Sequence, residues 1–366
     1  MQELMKKMNP IPVKTWRWLG VNEVNLEETI PTIMPYHKSV LKTKIPDGVV
    51  VTEDHKTRQD YAALAGKIAA GVSEPMEQFV ALNENSGHLV TIAKDAKVTE
   101  PIVFHYEFDP ENPTVIDQQV VVAEEDSEAT IILCYTGESA AFHSGLTKVY
   151  AKKGAKIHII KVQLLNDQSL QFDGTGSVVE AGARVDFTLV ELGSKCSVTN
   201  HKTSLNGKEA EGKVYSIYFG DQSRKIDINY VMTFLGKQVN GEIISRGALL
   251  DESQKIFRGT LDFVTGSRGA VGKEEEYTVL LSPKVRNRSI PLMLCSEADV
   301  EGQHAASTGQ MDEEQLFYLM SRGISEIEAK KLIIEASFQP IIDKIPVAAI
   351  QEAIGEFIRR RLAHVG

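Results

Sequence analysis

Cysteine is scarce in this sequence. The three thiols, Cys134, Cys196 and Cys295, are odd in number and far apart, and no C-x-x-C pair occurs. That excludes a disulfide framework and a structural zinc site of the usual spacing. Clustered positive charge is also missing. The net charge is -10, and the one dense basic run is Arg359, Arg360 and Arg361. A phosphate-binding surface needs more, so the run is read as the positive last turn of a terminal helix, and nucleic acid is not an expected partner. No stretch reaches the roughly 18 apolar residues of a membrane span, and the first residues lack the apolar centre of a signal peptide. The expectation is a cytoplasmic protein with no membrane partner.

Catalytic signatures are missing too. H-E-x-x-H, G-x-S-x-G and G-x-G-x-x-G do not occur. The nearest approach to a phosphate loop, Gly266 to Glu274, is one residue too long, and Glu274 stands where Ser or Thr would hold Mg²⁺. Asp and Glu fall mainly at turns, where solvation accounts for them. No enzyme activity is expected. A carbohydrate-active β-helix enzyme is the alternative, and it would need an acid/base cluster that the sequence does not display.

What is present changes texture along the chain. The expected division is 1–110, a mixed α/β region; 111–308, a β-helix core; and 309–366, a helical domain. In the first part, Thr57 to Gly71 reads as a helix, and Phe79 to Leu82, Leu89 to Ala93 and Ile102 to Tyr106 read as short strands. The aromatic patch at Trp16 and Trp18 reads as a packing element. In the middle part, Ile226, Ile228, Tyr230, Met232 and Phe234 share one face of a run whose other face is mostly polar, the period of a strand with one buried side.

Turns recur in that middle part at Gly154, Gly182, Gly207, Gly236 and Gly266, with successive spacings of 28, 25, 29 and 30. A second set, at Gly137, Gly193, Gly220 and Asp251, falls between them. Each repeat then holds two strands and two turns. A repeat that carries strands without helices exposes its apolar face and its backbone edges unless neighbours stack on it. The fold class that answers is mainly β: a right-handed parallel β-helix with long strands, about two per coil. A sandwich of hairpins would have shorter spacing between turns.

Past Gly309 the pattern is helical. Asp312 to Gln315 and Ser325 to Glu328 read as capping boxes, the second opening a helix to about Phe338 that Pro340 disturbs. Pro346 opens a third helix, with Val347, Ile350, Ile354, Phe357 and Ile358 on one face. Among reactive side chains, Cys134 reads as a small buried hydrophobe and His158 as a hydrogen-bonded core residue. His143 and His201 read as exposed, and Cys196 as the more exposed thiol. The run from Cys295 to His304 holds a thiol, three carboxylates and an imidazole, a donor set that suits iron or an iron–sulfur cluster if another subunit completes the shell. Its spacing fits an ordinary surface segment equally well.

Gly259 to Ala270, Ser289 to Leu292, Gly302 to Ser307 and, above all, Glu314 to Gly323 resemble the C-terminal core of the SufB/SufD family. The resemblance is strongest from about 210 to 345, and the strand repeats carry it back to about 115. Shorter length and His304-Ala-Ala, where SufB-like chains have His-Glu-Ala, resemble the SufD branch. The resemblance implies a scaffold subunit of an iron–sulfur (SUF) assembly complex, pairing with a SufB-like subunit through β-helices and docking the ABC-type ATPase SufC through C-terminal helices. It implies His304 at a shared cluster or iron site, with Cys295 as a supplementary candidate outside the general family pattern. No cofactor is then held stably by the isolated chain; a transient cluster or iron belongs to the complex. A homodimer, of the isolated chain or of a SufB-like subunit, is the variant reading. In the docking helix Leu316, Leu319 and Met320 form an apolar stripe, with Phe317, Tyr318 and Arg322 beside it and Gly323 ending it.

Overall fold

A computed structural model describes residues 2–53 and 64–363. Strands of about ten residues alternate with tight turns, and from β2 onward successive strands go to opposite sheets. One sheet holds β1 (Val49–Thr52), β2 (Ser86–Ile92), β4 (Thr114–Ala123), β6 (Phe142–Ala151), β8 (Leu170–Val179), β10 (Cys196–Leu205), β12 (Lys225–Phe234), β14 (Gln254–Phe263) and β16 (Arg286–Cys295), in that order. The other holds β3 (Ile102–Phe108), β5 (Glu128–Gly137), β7 (Lys156–Leu165), β9 (Arg184–Glu191), β11 (Glu211–Gly220), β13 (Asn240–Leu249), β15 (Ala270–Leu280) and β17 (Val300–Gln310). All pairings are parallel except that of β1 with β2. Each coil thus gives one strand to each sheet, which is the expected parallel β-solenoid. Its parallel ladder reaches back to Ser86.

The glycine turns serve two purposes. Gly154 has a φ of 71°, which any Cβ would strain. Gly207 instead permits close approach: a Cβ there would lie 1.9 Å from the Ala181 amide nitrogen. The 25–30 residue rhythm therefore records both backbone handedness and the spacing of stacked turns.

Alternation sends Val121, Val149, Ile159, Val185, Val214, Phe234 and Phe263 into the space between the sheets. The two outer faces are covered differently. On the even-numbered sheet, Met5, Met8, Leu26 and Ile30 and helix α1 (Glu74–Asn83) pack over Ile116, Phe142, Phe172 and Val198. On the odd-numbered sheet, α3 (Glu326–Ile342) and α4 (Ala348–Leu362) place Ile334, Phe338, Ile341, Phe357 and Ile358 over Ile160, Val190, Ile217 and Ala248. The N-terminal segment is also pinned by polar contacts. Arg258, fully buried, donates to Asp227 at 2.7 Å and to the Val21 carbonyl at 2.7 Å, and Asn9 donates to Asp227 at 2.6 Å.

Several expectations are corrected. Phe79 to Leu82 is helical, not a strand. Ser73 caps α1 by accepting from the Met76 amide, Pro75 sits in the first turn, and Met76, Phe79 and Val80 form its buried stripe. A short apolar run has no period of its own, and the start signal upstream decided its state. The helix expected from Thr57 to Gly71 lies outside the described residues as far as Ala63. Beyond it only Leu64 and Ala65 are helical, and Gly71 turns left-handed with a φ of 91°. Trp16 and Trp18 are exposed rather than packed; the Leu19 and Gly20 carbonyls of that turn accept from Arg288 instead. His143, His201 and Cys196 are buried, because strand alternation points His143 and His201 between the sheets and Cys196 lies under the N-terminal cover. Helix α3 runs through Pro340 to Ile342, since the two isoleucines after the proline are buried against the sheet.

Candidate functional site

The interior of the solenoid is not uniformly apolar. Along one side of its axis the inward positions are polar and paired. His143 Nε2 is hydrogen-bonded to Asp117 at 2.6 Å, and Lys161 donates to both oxygens of Asp173 at 2.6 and 2.7 Å. Glu191 accepts from Thr199 at 2.7 Å and from Ser197 at 3.1 Å. Burial pushes the Glu191 carboxyl up to about 7 and holds the His201 imidazole down at about 3. Further along, Lys255 is buried against Glu276, with Ser289 Oγ at 3.1 Å. Tyr218 donates to Glu276 at 2.7 Å.

The two ends of the solenoid are finished differently. At the first coil, the chain around Val40 to Lys42 runs along β3: the His105 amide donates to the Val40 carbonyl and the Lys42 amide to the Val103 carbonyl. β1 closes the other sheet. At the last coil, β16 and β17 are the outermost strands of their sheets, and no described residue pairs with their free edges. β17 is exposed along nearly all its length. Pro291 in β16 removes one backbone donor, as edge strands often do. β17 carries neither proline nor lysine.

His304 lies on β17, exposed, with Glu274 of β15 as its register partner. Cys295 ends β16, exposed, and its thiol donates to the Glu297 carbonyl at 3.1 Å. His304 is the fifth residue of its strand and Cys295 the last of its own, on different sheets. Among the described residues no group of three or more His, Cys, Asp or Glu side chains is placed to hold a metal ion. The other two thiols are interior hydrophobes, each pushed up to about 12 by burial.

Sequence reading missed the carboxyls beneath this coil. Glu274 is 1% exposed, and neither of its carboxyl oxygens has a hydrogen-bond partner. Burial, then the charge of Glu276, pushes it up to about 8. The missed signal was available: in a strand, three successive glutamates, Glu274 to Glu276, cannot all face water, and alternation turns Glu274 and Glu276 inward together. Glu275 faces out to Arg246 and Lys273.

The helical end is built as its caps require. Helix α2 (Glu313–Ser321) starts where Asp312 accepts from the Glu314 and Gln315 amides at 2.9 and 3.3 Å. It stops at Gly323, φ 89°: the Gly323 amide donates to the Met320 carbonyl and the Ile324 amide to that of Leu319. Leu316 packs toward the cluster under α3 and α4. Phe317 is 74% exposed and Tyr318 58%, with Met320 also bare and Arg322 lying over the Tyr318 ring at 5.3 Å. Ile327 and Leu332 of α3 are also exposed.

Comparison with known families gives a match to the SUF system FeS cluster assembly, SufBD core domain, over residues 106–337, more than half of the chain. The chain belongs to the SufBD family. Its relatives include the iron–sulfur cluster assembly protein SufD of Bacillus subtilis, 24% identical over 338 residues that cover 90% of this chain and 77% of that protein. SufBD-family proteins of Staphylococcus saprophyticus and Staphylococcus epidermidis are 24% and 22% identical, covering 91% of this chain and 74% of theirs. The chain is therefore an iron–sulfur cluster assembly protein of the SufBD family, SufD-like in sequence. The matched segment takes in both the open terminal coil and α2.

Proposed function

We propose that this SufBD-family chain is a scaffold without turnover of its own. In this reading it pairs with a SufB-like subunit through its last coil, docks the ATPase SufC through α2, and works in the cytoplasm. The observation that carries the reading is the unequal finish of the two ends. The first coil is closed by the chain's own β1 and the Val40 segment, whereas β17 offers an eleven-residue free edge. About half of an edge strand's N–H and C=O groups have no intramolecular partner, and proteins rarely leave so long an edge without proline, lysine or a covering segment unless something pairs with it. The bare Phe317–Tyr318 patch, on a helix fixed at both ends by caps, supports a second and separate docking surface.

Iron and sulfide would be cargo at the junction of the two chains, near His304. Co-expression with the cognate SufB-like chain and SufC should give one assembly on size exclusion, and anaerobic purification should show cluster absorption with matching iron and sulfide. His304→Ala should lower the cluster content of an assembly that still forms. Separate elution of the three chains would overturn the scaffold reading, and unchanged iron and sulfide in the variant would overturn the site.

A further inference from the structure

We infer that the N-terminal loop bearing Trp16 and Trp18 is a clasp, overhanging β16 and gripping the outer face of the strand that the SufB-like subunit sets against it. The inference rests on the partner-pairing reading above and adds to it a contact that no strand edge supplies.

The loop is shaped before anything binds. Met8 and Val24 exchange backbone bonds at 3.0 and 2.8 Å, and the Ile11 amide donates to the Asn22 carbonyl at 3.0 Å. The Asn22 side chain accepts from the Thr15 amide and hydroxyl at 2.8 Å each and donates back to the Thr15 carbonyl at 2.9 Å. Gly20, with a φ of 63°, ends the short turn Arg17–Leu19. A tip held in this way loses little freedom on binding, and tryptophan beside arginine is the composition of an interface anchor. The rings do nothing within the chain: Trp16 is 74% and Trp18 79% exposed.

The anchorage of the loop sets its direction. Asn9 donates to the Thr199 carbonyl of β10 at 3.1 Å and to Asp227 of β12 at 2.6 Å. Arg258 of β14 donates to the Val21 carbonyl at 2.7 Å, and Arg288 of β16 to the Leu19 carbonyl at 3.1 Å. The loop therefore crosses the outer face of the sheet strand by strand, and it reaches the last one with Trp16 to Trp18 still to come. No described strand lies beyond β16. The alternation that turns Arg288 out toward the loop turns Ile290 and Leu292 out as well, both half-buried.

Area and charge say what covers the tip. The end of a coil about 35 Å long and about 10 Å thick offers on the order of 350 Å². A stable interface needs about 800 Å² from each partner, and two tryptophan side chains bring roughly 300–500 Å². Lys14, Arg17 and Arg286 are exposed, and no acid among the described residues pairs with them, although the whole chain carries a net charge of -10. The strand beneath the clasp is then one with apolar and acidic side chains on its outer face.

The sequence holds two tryptophans, both in this loop, so 5-fluorotryptophan placed in this chain alone gives two ¹⁹F resonances that report on the loop and on nothing else. On titration with the unlabelled SufB-like chain, both resonances should shift and lose their H₂O/D₂O isotope effect. Trp16→Ala with Trp18→Ala should weaken pairing at least tenfold by calorimetry, while the melting temperature of the free chain holds. Trp16→Phe with Trp18→Phe should recover most of that loss. Lys14→Gln with Arg17→Gln should flatten the salt dependence of pairing, and an unchanged dependence would overturn the acidic face assigned to the partner. Unmoved resonances in a complex that forms, or equal affinity of the double alanine variant, overturns the clasp and leaves the strand pairing standing. Failure of the wild-type chain to pair at all overturns the pairing reading, and the clasp with it. Resonances that move with the concentration of the free chain, or with phosphatidylglycerol vesicles but not with the SufB-like chain, overturn the assigned occupant.

Discussion

Arg361, in the last turn of α4, donates to both carboxyl oxygens of Asp221 at 3.1 and 3.0 Å. Asp221 lies in the turn between β11 and β12, so this pair ties the C-terminal helices to the solenoid wall. Arg224 and Asp167 complete a ring of two guanidinium and two carboxylate groups, with Arg224 donating to Asp167 at 2.9 Å and to Asp221 at 3.1 Å. Of the three consecutive arginines, Arg359 and Arg360 remain in water, and Arg361 is only 8% exposed.

Removing one partner of a buried charge pair leaves the other uncompensated. Arg361→Ala should therefore cost about 3–5 kcal/mol and free α4 from the sheet before the solenoid unfolds. Arg359→Ala should cost less than about 0.5 kcal/mol, as an exposed substitution. Urea unfolding with limited proteolysis of the C-terminal helices compares them; equal effects of the two variants would show that the ring carries no tie.

Glu191 gives stability a pH dependence of known sign. Its carboxyl is raised from 4.5 to about 7 by burial, with the Asp173 charge adding to it, against the hydroxyls of Thr199 and Ser197. A raised acid favours folding in its protonated form. Its contribution is whole below about pH 4.5 and is lost as pH rises toward 7. The loss is on the order of 3 kcal/mol from a shift of this size. Glu191→Gln should flatten the fall of melting temperature across that window, and an identical slope in the variant would remove Glu191 from the explanation.

The α2 patch should separate docking from folding. Phe317 and Tyr318 are mostly in water, so Phe317→Ala with Tyr318→Ala should leave thermal stability within about 1 °C. If α2 is the ATPase-docking helix, the same pair should weaken SufC co-elution at least tenfold, the scale of an interface anchor worth about 2 kcal/mol or more. Leu316→Ala should instead lower stability, since Leu316 packs inward.

Edge pairing by β17 has a backbone signature. In a parallel strand successive N–H groups point alternately to the two sides, so of Ala305 and Ala306 one N–H faces β15 and the other faces outward. Of Ala305→Pro and Ala306→Pro, one should loosen the last coil, and the other should abolish pairing with the SufB-like chain while the melting temperature holds. Normal co-elution of both variants would show that the β17 edge is not what pairs.

The sequence by itself determined the solenoid. Turn glycines every 25–30 residues and strands of period two are local facts, and stacking is the one arrangement that buries both the apolar faces and the backbone edges they create. It also determined α2 and α3, whose caps at Asp312, Ser325 and Gly323 act through bonds within a few residues. Only the tertiary structure decided what each face meets. His143 and His201 have similar local surroundings to an exposed histidine near a turn, yet their inward phase places them between two sheets. Trp16 has every reason to pack and does not, because the turn that holds it gives its carbonyls, not its rings, to Arg288. Phe79 and Val80 took their helix from the Ser73 cap and from a sheet far along the chain. The pairing of Glu274 with His304, thirty residues apart, depends on strand register, and register is settled by all the coils below it at once.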